Sequence, residues 1–484
     1  MSPTDLITML PFLVLAGGIV FLMLLLTVIR DHTLTMVLAV LILAIAIATL
    51  PVTPTIQSRQ VTSLLIFDTY AMFYMILVFG AALVVCVLSY GYMRDRQKTV
   101  EEFYILILMA ALGCGVIVAS SHFVSFFLGL ELLSVSLYIL IAYLRAESIH
   151  IEAGIKYLIP AATSVAFLLM GAAFIYAYSG TMNFFAMAGS AFFFGKNSPL
   201  LITGLIMLLV GIGFKLAIVP FHFWTPDVYE GAPAPITGFI ATASKGAVFA
   251  MLLRYFTVMN VYDCRPLFTA FVVIAIVTMF FGNLLALLQQ NVKRILAYSS
   301  IAHIGYLLTA LLAGGKWAVV AVTLYLLTYF VTTLGAFGVI TILSGKERDF
   351  DILDDYRGLA FRYPVLTGVF TGFLLSLAGI PLTAGFIGKF YIFTANTDAK
   401  LWLLLIMLVI NSVIGLFYYL RIVVKLYSLA QESKAAIQPQ FGAAPSLSFV
   451  GGFVMALLLL TLVWIGVYPS PFIDMVKSMV GNLI

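Results

Sequence analysis

Runs of about 18 or more apolar residues recur along the whole of this 484-residue chain, each long enough to cross a bilayer's hydrocarbon core as a helix. Backbone in hydrocarbon must satisfy its own hydrogen bonds, which leaves only helices and closed barrels. Runs of this length select helices. Only 9% of the residues are charged and 63% are hydrophobic, whereas charged residues make up roughly a quarter of a soluble domain. The expected class is an all-α polytopic membrane protein with no separate soluble domain.

Fourteen spans are expected, near residues 7–29, 33–50, 67–92, 103–120, 122–143, 155–178, 200–221, 236–258, 267–289, 292–313, 317–343, 364–396, 401–428 and 449–469. The first is too long for a signal-peptide core and no Lys or Arg precedes it, so it reads as a retained helix. An even number of spans puts both termini on one side. One set of connections carries fourteen basic residues: Arg30, Arg94, Arg96, Lys98, Arg145, Lys293, Arg294, Lys346, Arg348, Arg357, Arg362, Arg421, Lys425 and Lys434. The opposite set carries seven: Arg59, Lys196, Arg254, Arg265, Lys316, Lys400 and Lys477. The positive-inside rule places the richer set in the cytoplasm and both termini outside. With the basic residues beside membrane helices, the net charge of +5 does not point to nucleic acid. The three cysteines, Cys86, Cys114 and Cys264, are scattered, and no Walker A loop is present. Neither a bound cluster, a structural zinc nor a nucleotide is therefore expected on this chain.

Four charges fall inside apolar spans: Glu131, Lys215, Lys245 and Lys389. A charge at bilayer depth costs a few kcal/mol and usually marks an ion or proton path. Glu131 shares a helix face with Ser134 and Tyr138. Its plain alternative is a packing tie, a role that an uncharged Gln fills with less desolvation. Lys215 lies in GIGFKLAIVPFHFWTPD, just before Pro220, which interrupts a helix. Snorkelling is its alternative. Lys245 sits at mid-span among the small residues Gly238, Ala241 and Thr242, which admit a close neighbouring helix. Lys389 follows the Gly- and Pro-rich SLAGIPLTAGFIG. Spans 7 and 12 are expected to be broken, as in transporters with midplane sites.

Three further residues are auxiliary candidates. Lys156 heads span 6, with interfacial anchoring as its alternative. His222 follows Pro220. His303 shares a stripe with Ser299 and Tyr306 and is either a packed core histidine or a proton relay. Asp227 and Glu230 read first as loop or cap residues. The 172-residue step from Glu131 to His303 and the 174-residue step from Lys215 to Lys389 each advance five spans. An odd number of spans inverts the unit, so an inverted repeat is expected. The corresponding segments are 1–100 (three N-terminal helices), 101–260 and 261–430 (two inverted five-helix units) and 431–484 (a C-terminal helix). Burial disfavours a charged amine and a nearby carboxylate favours it, so a Lys beside Glu131 keeps its proton until the pair separates. A sodium site would instead gather several oxygen ligands.

The segments GFKLAIVPFHFWTPDVYEGAPAPITGFIATASK, NVKRILAYSSIAHIGYL, DDYRGL and SLAGIPLTAGFIGKFYIF together resemble the antiporter-like subunits of respiratory complex I, above all the subunit N branch of bacterial NADH:quinone oxidoreductases. The resemblance covers nearly the whole chain. It implies fourteen helices, an inverted five-helix repeat, and proton movement through Glu131, Lys215, Lys245 and Lys389, with Lys156 and His222 as auxiliary groups. It also implies that NAD, FMN, iron–sulfur clusters and quinone belong to partner subunits. The partners are other membrane subunits, sister antiporter-like ones included, and the setting is the bacterial plasma membrane. No long lateral helix is expected after the last span. A subunit of a cation/proton antiporter or of a membrane-bound hydrogenase is the alternative, since both use related folds.

Overall fold

The computed structural model describes residues 3–52, 59–94, 96–97, 99–145, 147–188, 198–346, 348–428 and 449–480. Lys98, Lys196 and Lys434, and the expected segment boundary at 430/431, lie outside these residues.

The helices are α1 Leu10–Leu26, α2 His32–Thr49, α3 Thr69–Arg94, α4 Glu101–Ala119, α5 Phe123–Ile141, α6 Ser148–Ser179, α7 Pro199–Leu216, α8 Trp224–Gly231, α9 Ala234–Met259, α10 Arg265–Leu288, α11 Val292–Ala313, α12 Gly315–Leu343, α13 Pro364–Ala378, α14 Ala384–Asp398, α15 Trp402–Tyr427, α16 Phe449–Val467 and α17 Ser470–Val480. Twelve helices among the described residues are long and apolar enough to cross a membrane, and α1 and α13 are shorter apolar helices. Together they account for the fourteen expected spans. A small antiparallel pair, β1 Arg59–Val61 with β2 Leu65–Phe67, precedes α3.

Local chemistry sets several helix ends. The Asp31 carboxylate accepts the Leu34 N–H at 2.6 Å, and Asn291 accepts the Arg294 N–H at 3.1 Å, so α2 and α11 start on capped turns. The seventh span stops being helical at Leu216, where Ala217 adopts a left-handed backbone with φ 60°. The indole N–H of Trp224 donates to the Phe214 carbonyl at 2.9 Å, serving one of the carbonyls the helix end frees. The twelfth span divides at Gly379, whose φ of 85° suits glycine. Within α9, residues Ile240–Ser244 form a π-helical turn directly before Lys245. Such turns are rare and are frequent at functional sites.

The centre of the molecule is α9, α11 and α12. Their most apolar windows are 100%, 94% and 94% buried inside the chain, against 28% for α2. Polar groups on α9 and α11 therefore face protein, where each needs a partner.

Several basic residues expected in connections lie in helices, among them Arg294 on α11 and Arg421 on α15, and two of these are buried. Arg254 lies within α9 and is 1% exposed; Lys293 lies in the first turn of α11 and is fully buried. Each has a buried carboxylate partner, described below, which is why neither behaves as a solvated loop charge. The two lysines of the 174-residue step also sit differently about their interruptions. Lys215 is in the last turn before one, and Lys389 is in the helix after the other.

Candidate functional site: a buried row of amines and hydroxyls

Glu131 lies on α5, and Ser134 follows one turn later on the same face. Lys215, only 2% exposed, donates to the Ser134 hydroxyl at 2.6 Å and to the Tyr157 hydroxyl at 3.1 Å. Glu131 and Lys215 form no ion pair within 4.0 Å, so Ser134 stands where a direct contact was expected. Ser134 gives its own proton to the Leu130 carbonyl. That orientation leaves its oxygen lone pairs for the ammonium. Glu131 Oε1 is buried without a hydrogen bond.

Lys245, 1% exposed, donates to the Ser300 hydroxyl at 2.7 Å. Its Nζ lies 5.3 Å from the Tyr229 ring centre and 6.0 Å from that of Trp224, within cation–π range. Between Lys215 and Lys245 the interval is aromatic: Tyr157 and Trp224 pack with ring centres 4.9 Å apart.

Ser299 and Ser300 are consecutive on α11. Ser299 bonds Tyr419, whose hydroxyl lies 3.0 Å from His303 Nε2. The other ring nitrogen of His303 bonds Tyr325 at 2.5 Å. His303 then faces a cavity of about 10 Å³, shared with Tyr325, Thr328, Ser376 and Lys389, with room for about one water. Lys389 is partly buried and donates to the Ala378 carbonyl at 2.8 Å and to Ser412 at 3.0 Å. The row therefore runs Glu131, Ser134, Lys215, Tyr157, Trp224, Lys245, Ser300, Ser299, Tyr419, His303 and Lys389; Glu131 and Ser134, and likewise Ser300 and Ser299, are linked only as near neighbours on one helix, and the aromatic pair and the small cavity interrupt the row further.

Of the three auxiliary candidates His303 lies in the row, whereas Lys156 and His222 stand apart from it. Lys156, 46% exposed, bonds Glu152 and Asp227 at 2.8 Å each. Its chain neighbour Tyr157 is the residue that reaches Lys215. Asp227 and Glu230, expected first as loop or cap residues, lie on α8, and Arg294 clasps both at 2.8 and 2.7 Å. Burial pushes the Asp227 carboxyl up, but Lys156 and Arg294 outweigh it and hold it below the usual range. His222 is buried, and its Nδ1 has no hydrogen bond.

The structure adds a second layer that the sequence does not expose. Lys293 donates to the carbonyls of Glu230 and Ala232 and to Asp349, all at 2.7 Å. Arg96 pairs with Asp349 at 2.9 Å, and Tyr92 donates to it at 2.7 Å. Burial raises the Asp349 carboxyl, but the two cations prevail and bring it to about 2. A cation on the last carbonyls of α8 also complements its helix dipole. This cluster fixes the α8–α9 junction, hence Trp224 and Tyr229 over Lys245. The sequence signals only the basic pair in NVKR; Asp349, 56 positions away, gives none. Elsewhere Arg254 binds Asp68 bidentately at 2.7 and 2.8 Å.

Residues 120–415 match the family described as NADH:quinone oxidoreductase/Mrp antiporter, TM. The chain is 46% identical to NADH-quinone oxidoreductase subunit N of Ectopseudomonas mendocina, over 98% of this chain and 96% of that one. It is 49% identical to the protein of the same name from Nitrosospira multiformis, over 99% and 97%. A chain of respiratory complex I from Thermus thermophilus, solved with bound aureothin, superposes with TM-score 0.81 at 32% identity, covering 96% of this chain and 98% of that one. The chain thus belongs to the NADH:quinone oxidoreductase/Mrp antiporter membrane family, on its subunit N branch.

Proposed function

We propose that this chain is a proton-translocating membrane subunit of a respiratory NADH:quinone oxidoreductase. The observation that carries the proposal is the buried row from Glu131 to Lys389. Its interior amines donate to hydroxyls and a carbonyl instead of forming ion pairs. Such ammonium groups are proton carriers in waiting, whereas a metal-cation site needs oxygen ligands. In this reading, redox energy released in partner subunits changes the pairing around Glu131, Ser134 and Lys215. Protons enter from the cytoplasm, pass Lys245 and leave through Lys389, with His303 as relay and Lys156 and His222 assisting entry. Moving one charge against 100 mV costs about 2.3 kcal/mol.

The chain itself holds no redox group in this account. NAD, FMN, the iron–sulfur clusters and quinone are bound by partner subunits, and the chain's membrane partners include sister antiporter-like subunits. The setting is the bacterial plasma membrane with both termini on the periplasmic side. Support comes from the identity with the curated relatives. Purification of the tagged chain tests the assignment. It should bring down a flavin- and cluster-bearing arm that oxidises NADH. Recovery with cation-antiporter subunits and no such arm would refute it.

A further inference from the structure

An open groove of about 590 Å³ runs between α1, α4 and α5, away from the proton row. Its size falls within the roughly 300–1,000 Å³ of small-molecule sites. The three helices contribute matching ends: the C-terminal side of α1, the N-terminal side of α4 and the C-terminal side of α5. The polar residues Arg30, Glu102 and Arg145 therefore gather at one level, and Leu26, Leu106, Met109 and Ile139 line the deeper part. On α4, Met109 lies seven residues past Glu102, roughly 10 Å further into the apolar layer at 1.5 Å per residue.

We infer that this groove binds an anionic glycerophospholipid, its phosphate at Arg30 and Arg145 and one acyl chain laid along the apolar wall. Charge complementarity argues for it. The mouth carries two guanidiniums against one carboxylate. Glu102 is committed to Arg30 at 3.1 Å, and that pair is half-exposed at 57% and 46%. Arg145 is exposed and in no ion pair among the described residues. The flank is apolar and uncovered, with Met23 55% and Ile139 42% exposed. Both arginines belong to the set of connections assigned to the cytoplasmic side, where basic pockets between membrane helices meet anionic headgroups. Guanidinium suits the phosphodiester through paired N–H donors.

The test uses the intact complex, purified in mild detergent from wild-type cells, from an Arg30→Gln/Arg145→Gln double variant and from Leu106→Trp, which fills the groove while leaving the arginines. Tightly held phospholipid per complex is counted by mass spectrometry. Both variants should assemble and each should lose about one anionic phospholipid, with the zwitterionic count unchanged. Equal retention in all three complexes overturns the proposal, as does equal loss of anionic and zwitterionic lipid. A photo-crosslinker at Met109 should label added anionic phospholipid; labelling of a neighbouring subunit instead assigns the groove to a protein contact and also overturns it.

Discussion

Lys245 on α9 donates a 2.7 Å hydrogen bond to Ser300 on α11, and this contact joins the first half of the polar row to the second. Ser299, the preceding residue on α11, leads through Tyr419 to His303. The two halves meet at one dipeptide on one helix.

Ser300→Ala removes the acceptor of a buried ammonium. A hydrogen bond to a charged group is worth roughly 1.5–3 kcal/mol. Proton pumping by the assembled complex should fall by about tenfold, the rate equivalent of about 1.4 kcal/mol. Ser300→Thr, which keeps the hydroxyl, should restore most of it. Equal pumping by all three complexes contradicts the junction.

His303→Phe keeps the ring volume and removes both nitrogens that bond Tyr325 and Tyr419. The complex should assemble normally and lose most of its pumping. Pumping at the wild-type level in reconstituted vesicles would make His303 a packing residue only.

How far the site was legible depends on how each residue advertises itself. The spans were readable because apolar runs of membrane length have one use. Lys215, Lys245 and Lys389 were readable because a charge in such a run is an anomaly. Ser299, Ser300 and Tyr419 were not, since serine and tyrosine are common in membrane helices and Ser299 meets Tyr419 across 120 positions of chain. Ser134 rather than Glu131 as the partner of Lys215 was not legible: helical spacing places Ser134 on the right face but does not say which side chain the lysine reaches. Lys293 and Arg254 looked like loop charges because their partners, Asp349 and Asp68, are distant in sequence.

Lys293→Met leaves the Asp349 carboxylate and the last carbonyls of α8 short of a donor. Breaking one side of a buried ion pair costs roughly 3–5 kcal/mol. Yield of intact complex and its unfolding midpoint should both drop. The Lys293→Met/Asp349→Leu double variant should recover part of the loss, and an additive further loss would contradict the pairing.

The Asp349 carboxyl, brought to about 2 by Lys293 and Arg96, ties stability to acid. Its pKa is depressed on folding, so its contribution is complete above an unfolded value of about 3.9 and disappears as pH falls towards 2. The gap in unfolding midpoint between wild type and Asp349→Asn should be flat above about pH 5 and narrow below pH 4. A gap that widens in acid contradicts the assigned sign.

Gly385 has no room for a side chain: an added Cβ would lie 1.8 Å from the Ser376 carbonyl oxygen. Gly385→Ala should force α13 and α14 apart and pull Lys389 from the Ala378 carbonyl. Pumping should fall while Lys245 stays in place, visible as an unaltered Trp224 environment by fluorescence. Normal pumping would show that the Lys389 contact is dispensable.

The most direct test is proton translocation by assembled complexes carrying Lys245→Ala and, separately, Glu131→Ala, reconstituted in vesicles and driven by NADH. Both complexes should assemble completely, with pumping cut severely. Normal NADH oxidation together with normal pumping in both variants would contradict the proposed function.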